Sequence, residues 1–143
     1  MSVVDQYLYT APTRPLRDWL RLQAFTSLVG GPGATAARLF AASVLPAGCD
    51  FPAIAFHRLG GNSDLTLDFP VFQFDCWGAT PEDAEALAAA LTSFLASIPP
   101  RTRLASNLVL EGPAVIVDQL YLPAQINRQP RQILRAQLTF AAF

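Results

Sequence analysis

Apolar residues return along this chain with two periods, and the switches between them divide it into elements. From Pro15 onward, Leu16, Trp19, Leu20, Phe25 and Leu28 recur at helical spacing, while Arg17, Asp18 and Arg21 fall mostly on the other side. Pro15 suits a first turn, where its missing N–H has no partner to lose. Gly30, Gly31, Pro32 and Gly33 stop this helix. Period two then takes over. Residues 37–45 read as a strand with Leu39, Ala41 and Val44 apolar, and residues 53–59 as a second with Ile54 and Phe56 apolar. Gly60, Gly61, Asn62, Ser63 and Asp64 read as a flexible loop. Residues 69–77 carry the strongest β signal: Phe72, Phe74 and Cys76 share one face, Gln73 and Asp75 the other. The glycine-rich connection suggests that these last two strands form an antiparallel hairpin.

A second helix follows. Thr80 suits the N-cap and Pro81 the first helical position, and Glu82 and Asp83 suit the positive end of the helix dipole. Asp83 stands three residues after Thr80, close to a capping box. Ala84, Leu87, Ala88, Leu91, Phe94, Leu95 and Ile98 form one stripe, and Pro99 and Pro100 end it. The last third returns to β: a short strand in residues 103–110, another in 114–122, and a regular one in 132–143. There Leu134, Ala136, Leu138, Phe140 and Ala142 alternate with Arg135, Gln137 and Thr139. The order α-β-β-β-α-β-β-β lacks alternating βαβ units. It predicts an α+β fold, a mostly antiparallel sheet of about five to six strands with two helices packed on one face. Residues 1–143 make one domain, with residues 1–13 as an extended N-terminal arm. There is no internal repeat and no linker long enough to separate two domains.

Composition narrows the function classes. Of the 143 residues 52% are apolar, which excludes a disordered chain and suffices for a core without staples. The net charge of −1 sets up no global field toward nucleic acid or an anionic membrane. All ten basic residues are Arg. A GC-rich genome accounts for that, and so does a use of planar, multi-donor contacts at interfaces. The two cysteines, Cys49 and Cys76, make no disulfide framework and have no zinc-ligand spacing, so a reduced, cytoplasmic setting is expected. The opening MSVVDQYLYT has no basic n-region, and Pro, Gly or acids break every apolar stretch short of a membrane span.

A search for reactive groups returns little. The lone His57 faces away from Ile54 and Phe56, and a general base needs an orienting partner and a nucleophile in reach. Cys76 lies on a strand that pairs with that of His57, but it shares a face with Phe72 and Phe74 and reads as a small apolar residue. The glycine run at 30–33 has neither the Lys of a phosphate loop nor the strand that precedes a dinucleotide fingerprint. Asp64 and Asp68 are too few for a cation site and read as a solvated turn. Arg101 with Arg103, and Arg128 with Arg131 and Arg135, have no aromatic stacking platform beside them. They serve equally as salt-bridge donors to a neighbouring subunit or as ordinary surface. No catalytic, cofactor-binding or metal-binding residue and no cofactor is expected.

The middle of the chain carries a resemblance. Phe56, Arg58, Gly60 and Gly61, then Pro70, Phe72, Gln73, Phe74, Asp75, Trp77 and Gly78, then Thr80, Asp83, Ala84, Leu87 and Ala88, together resemble the small tail-terminator and tail-completion proteins of siphophages, particularly those of actinobacterial phages. The early Trp19-Leu20-Arg21 and Val29-Gly30 are similar to that group as well. The likeness spans residues 5–97; the remainder matches in its strand content only. It implies a homohexameric ring at the head-proximal end of the tail, which ends tail-tube polymerisation. The implied partners are further copies, the tail-tube protein and the head–tail connector or stopper, with DNA passing the channel unread. The implied location is the virion, with the host cytoplasm during assembly and no membrane. Candidate interface residues are Trp19, Arg58, Gln73, Asp75, Trp77, Arg128, Arg131 and Arg135. Ordinary core packing is an equal alternative for the two tryptophans. The other functions open at this point are a stopper or tail-tube subunit of the same particle, and a small cytoplasmic enzyme using His57 and Cys76.

Overall fold

The computed structural model describes residues 11–63, 67–105, 107–124 and 128–142. The arm foreseen at residues 1–13 therefore lies almost wholly outside the described residues. Among the described residues two α-helices, a 3-10 helix and eight strands follow one another: α1 (Thr13–Arg21), the 3-10 helix (Ala24–Val29), β1 (Leu39–Ala41), β2 (Ala53–Ser63), β3 (Leu67–Trp77), α2 (Pro81–Ala96), β4 (Thr102–Ala105), β5 (Leu108–Leu110), β6 (Val115–Tyr121), β7 (Arg131–Gln137) and β8 (Phe140–Ala142). The predicted α+β class holds, with every strand pair antiparallel except the parallel β1–β2.

The centre is β3, paired on one side with β2 and on the other with β7 and then β8. β6 continues from β7, while β5 and β4 continue from β8. The last strand divides into β7 and β8 opposite Pro70, which has no N–H to give the ladder. There the Leu138 amide donates to the Pro70 carbonyl at 3.0 Å. Through the break the alternation persists: Leu134, Ala136, Leu138 and Phe140 are all buried on the helix side.

That side holds the core. Leu16 and Leu20 of α1 and Ala88, Leu87, Leu91 and Leu95 of α2 are buried in one cluster with Ile54, Phe56, Phe72, Phe74 and Cys76. Phe56 stacks on Phe74 at 5.3 Å and meets Phe72 edge-on at 5.7 Å. α2 begins as the sequence foretells, with the Asp83 amide donating to Thr80 Oγ1 at 3.1 Å.

Several boundaries differ from the pattern. The early helix does not run to Leu28. It ends at Arg21, Gln23 is extended, and a 3-10 turn resumes at Ala24. The buried Thr26 explains part of this: its hydroxyl donates to the Gln23 carbonyl at 2.6 Å, in competition with helical pairing. Pro15 is in the first turn, but as its third residue. The strand foreseen at residues 37–45 is only three residues long, because the segment after it turns away through Pro46 and Gly48. Residues 103–110 are two strands of a hairpin rather than one.

The glycine run at 60–61 is not a loop. β2 continues through it to Ser63, with an irregularity in register between Arg58 and Gly60. Gly61 has φ +113°, and a Cβ there would run into the Phe69 carbonyl of the partner strand. Asp68 is likewise no solvated turn residue. It is 2% exposed, and Arg58 grips it in a fork, Nη1 to Oδ2 at 2.8 Å and Nη2 to Oδ1 at 2.7 Å. Asp64 lies outside the described residues.

Candidate assembly interface

The side of the sheet away from the helices is built by the residues that alternate with the core. Register places His57 beside Gln73, Gln73 beside Arg135, Asp75 between Ala55 and Ile133, and Trp77 beside Arg131. A polar chain crosses three strands here. Asp118 of β6 accepts from Arg135 Nη1 at 3.1 Å, Arg135 Nε donates to Gln73 Oε1 at 3.3 Å, and Gln73 Nε2 donates to Asp75 Oδ1 at 2.9 Å. At the end of the same face the Arg131 guanidinium lies 4.9 Å from the Trp77 ring centre, with its Nε donating to the Leu122 carbonyl at 2.9 Å.

Five of the eight sequence candidates, Gln73, Asp75, Trp77, Arg131 and Arg135, therefore meet on one face. Arg128 is exposed in the connection from β6 to β7, whose residues 125–127 lie outside the described set. Arg58 is elsewhere, committed to Asp68 at the far end of the β2–β3 hairpin. Trp19 is on the helix side, half-buried, with its ring 5.4 Å from Phe94.

Part of this face is covered: Asp75 is 3% exposed, and Ala53 and Ala55 beside it are fully buried. Two buried polar atoms on this face, His57 Nδ1 and Trp77 Nε1, have no hydrogen-bond partner among the described residues.

The sequence reading missed the most exposed apolar element. Among the described residues β6 is an edge strand, paired only with β7. Val115 (62% exposed), Val117 (55%), Leu120 (48%) and Tyr121 (41%) all meet solvent, as does Leu122 just beyond it. The run VIVDQLYL signals a strand, and nothing in its local pattern tells an edge from a centre.

Reactive chemistry is poorly served. Cys76 pairs with Ile54 on the core face, whereas His57 is on the opposite face, so the two side chains point to different sides of the sheet. Burial, with Asp75 adding to it, pushes the Cys76 thiol far above the ordinary thiol range. Among the described residues, no three of His, Cys, Asp and Glu come together as a metal site would need, and no helix is long and apolar enough to cross a membrane.

No protein-family model and no curated protein matches this chain. Among solved structures it is similar to a chain described as "Virion of native gene transfer agent (GTA) particle", with a TM-score of 0.53 and 19% identity. The likeness covers 87% of this chain and 93% of that one. At that identity it is the fold that is shared, and it is shared over nearly the whole of both chains.

Proposed function

We propose that this chain is a structural virion protein, a tail terminator whose copies close into a ring at the head-proximal end of a phage-like tail. The observation that carries the reading is the likeness to a chain of a gene transfer agent virion across almost its full length. The sequence resemblance to siphophage tail terminators is independent of it and points the same way. The surface supports assembly. A face with an Arg–Trp stack and a polar chain lies beside an edge strand rich in exposed apolar side chains, the mixture that subunit interfaces use.

The ring ends tube growth by offering the tube one face and the connector or stopper another, and it lets DNA through without reading it. Its contacts are head-to-tail, one surface of a copy against a different surface of the next, as a closed ring demands. The fold likeness alone leaves a stopper or tube subunit of the same particle open, and position along the particle separates these. An enzyme built on His57 and Cys76 is disfavoured by their placement on opposite faces. Mass measurement of the purified chain tests the reading. A closed oligomer, six copies by the family resemblance, is expected, and a chain that stays a monomer both alone and with tail tubes would contradict it.

A further inference from the structure

Among the described residues the strands that end the sheet are β1, β4 and β6, and β2 is unpaired on its β1 side beyond Phe56, where the register irregularity at Arg58–Gly60 and two glycines interrupt it. Proteins blunt such edges with short strands, Lys, Pro or bulges, because an open ladder templates pairing with another chain. β1 and β4 are three and four residues long. β6 has seven residues, no Lys or Pro, and exposed apolar side chains along most of its length. An irregularity in register between Ile116 and Asp118 is its one blunting device. Its one charge, Asp118, is already matched by Arg135.

The sequence contains a second segment of the same kind. Val3-Val4-Asp5-Gln6-Tyr7-Leu8-Tyr9 follows the pattern of Ile116-Val117-Asp118-Gln119-Leu120-Tyr121-Leu122, with Val-Asp-Gln identical at the third to fifth places counted from Ser2 and Val115. Each segment is apolar, then Asp-Gln, then apolar, and this near-symmetry about a polar pair has a consequence. Laid antiparallel, with Gln6 opposite Asp118 and Asp5 opposite Gln119, the segments match at every position. Val4 faces Leu120, Val3 faces Tyr121, Tyr7 faces Val117, Leu8 faces Ile116 and Tyr9 faces Val115. Laid parallel and in step, Asp5 would oppose Asp118, and like charges across a ladder destabilise it.

We infer that the N-terminal segment Val3–Tyr9 of one copy adds as an antiparallel strand to the free edge of β6 in the next copy. The inference rests on the ring reading and names the contact that joins neighbours in it. Strand addition of this kind takes affinity from main-chain hydrogen bonds and specificity from the alternating side chains. It is heterologous, because the arm and the β6 edge are different surfaces, so it is compatible with a closed ring. Pairing β6 with β6 would instead give a two-fold dimer.

The test uses full-length chains carrying Cys49→Ser to silence the accessible native thiol. A tagged chain with Tyr7→Cys is mixed with an untagged chain with Val117→Cys, and the solution mass is measured before mild oxidation. A tagged–untagged disulfide between positions 7 and 117 as the main product supports the inference. A ring mass without that product overturns the arm contact and leaves the ring standing. A monomer without it, both alone and with tail tubes present, overturns both. Dimers joined through position 117 alone, or a doubly substituted chain that closes only on itself at high dilution, also overturn it. In the otherwise natural chain, Gln6→Pro removes a ladder N–H, and the concentration at half-assembly should rise by roughly tenfold. An unchanged value overturns the inference.

Discussion

At the scale of single residues, the motif that carries the family resemblance is explained by packing. Gly78, the glycine after Trp77, sits where a Cβ would press into the backbone of Thr80 and Ala84. Its own amide donates to the Pro130 carbonyl at 3.0 Å, and its carbonyl accepts from Gln129 Nε2 at 2.6 Å. It thus joins the end of β3, the start of α2 and the β6–β7 connection. Gly78→Ala should cost roughly 1–3 kcal/mol in denaturant unfolding, as overpacking does, while leaving the fold recognisable by circular dichroism. Arg58, expected at a subunit contact, is held within its own chain by the buried Asp68. Arg58→Ala should cost about 2–3 kcal/mol, the scale of hydrogen bonds to a charged group. Arg58→Lys should recover only part of this, since an ammonium cannot make the two-pronged contact. The two thiols should differ sharply. Burial raises both, but Cys49 is partly exposed and Cys76 is wholly covered. A native-state titration with a disulfide reagent at mildly alkaline pH should modify one thiol per chain, and the second only after unfolding.

At the scale of elements, what could be read ahead of the structure was what local chemistry determines. α2 was legible from both ends because Thr80, Pro81 and the acids announce a start and Pro99-Pro100 a stop. Thr80→Ala should therefore cost about 1 kcal/mol by loss of the cap to Asp83, measured as a shift in the denaturation midpoint at unchanged slope. The core faces of β3 and β7 were legible because alternation is strict there. The breaks were not. The local bond of Thr26 explains part of the early helix's stop before Leu28, and the last strand divides because Pro70 lies on the strand opposite it. Neither cause is carried by the element's own apolar period. The same limit applied to the surface. Alternation placed Gln73 and Asp75 opposite the phenylalanines correctly, but the burial of Asp75 and the edge position that exposes β6 are set by the assembled sheet.

At the scale of the molecule, the fold leaves two kinds of surface unevenly finished. The helix side is closed over a phenylalanine and leucine core, while β6 at the sheet's edge keeps its ladder open and its valines in solvent. An edge with exposed valines and an open ladder is the kind of surface that marks protein contacts. Substituting charge into the edge tests that at the molecular scale. Val117→Glu, whose side chain is already exposed, should leave unfolding within about 0.5 kcal/mol of the natural chain while lowering the assembled fraction, read by analytical ultracentrifugation. Electron cryo-microscopy of the intact particle should show density for this chain as one closed ring between the last ring of the tail tube and the head connector. Density for it along the whole tube, inside the head, or nowhere in the particle would rule out a terminator ring.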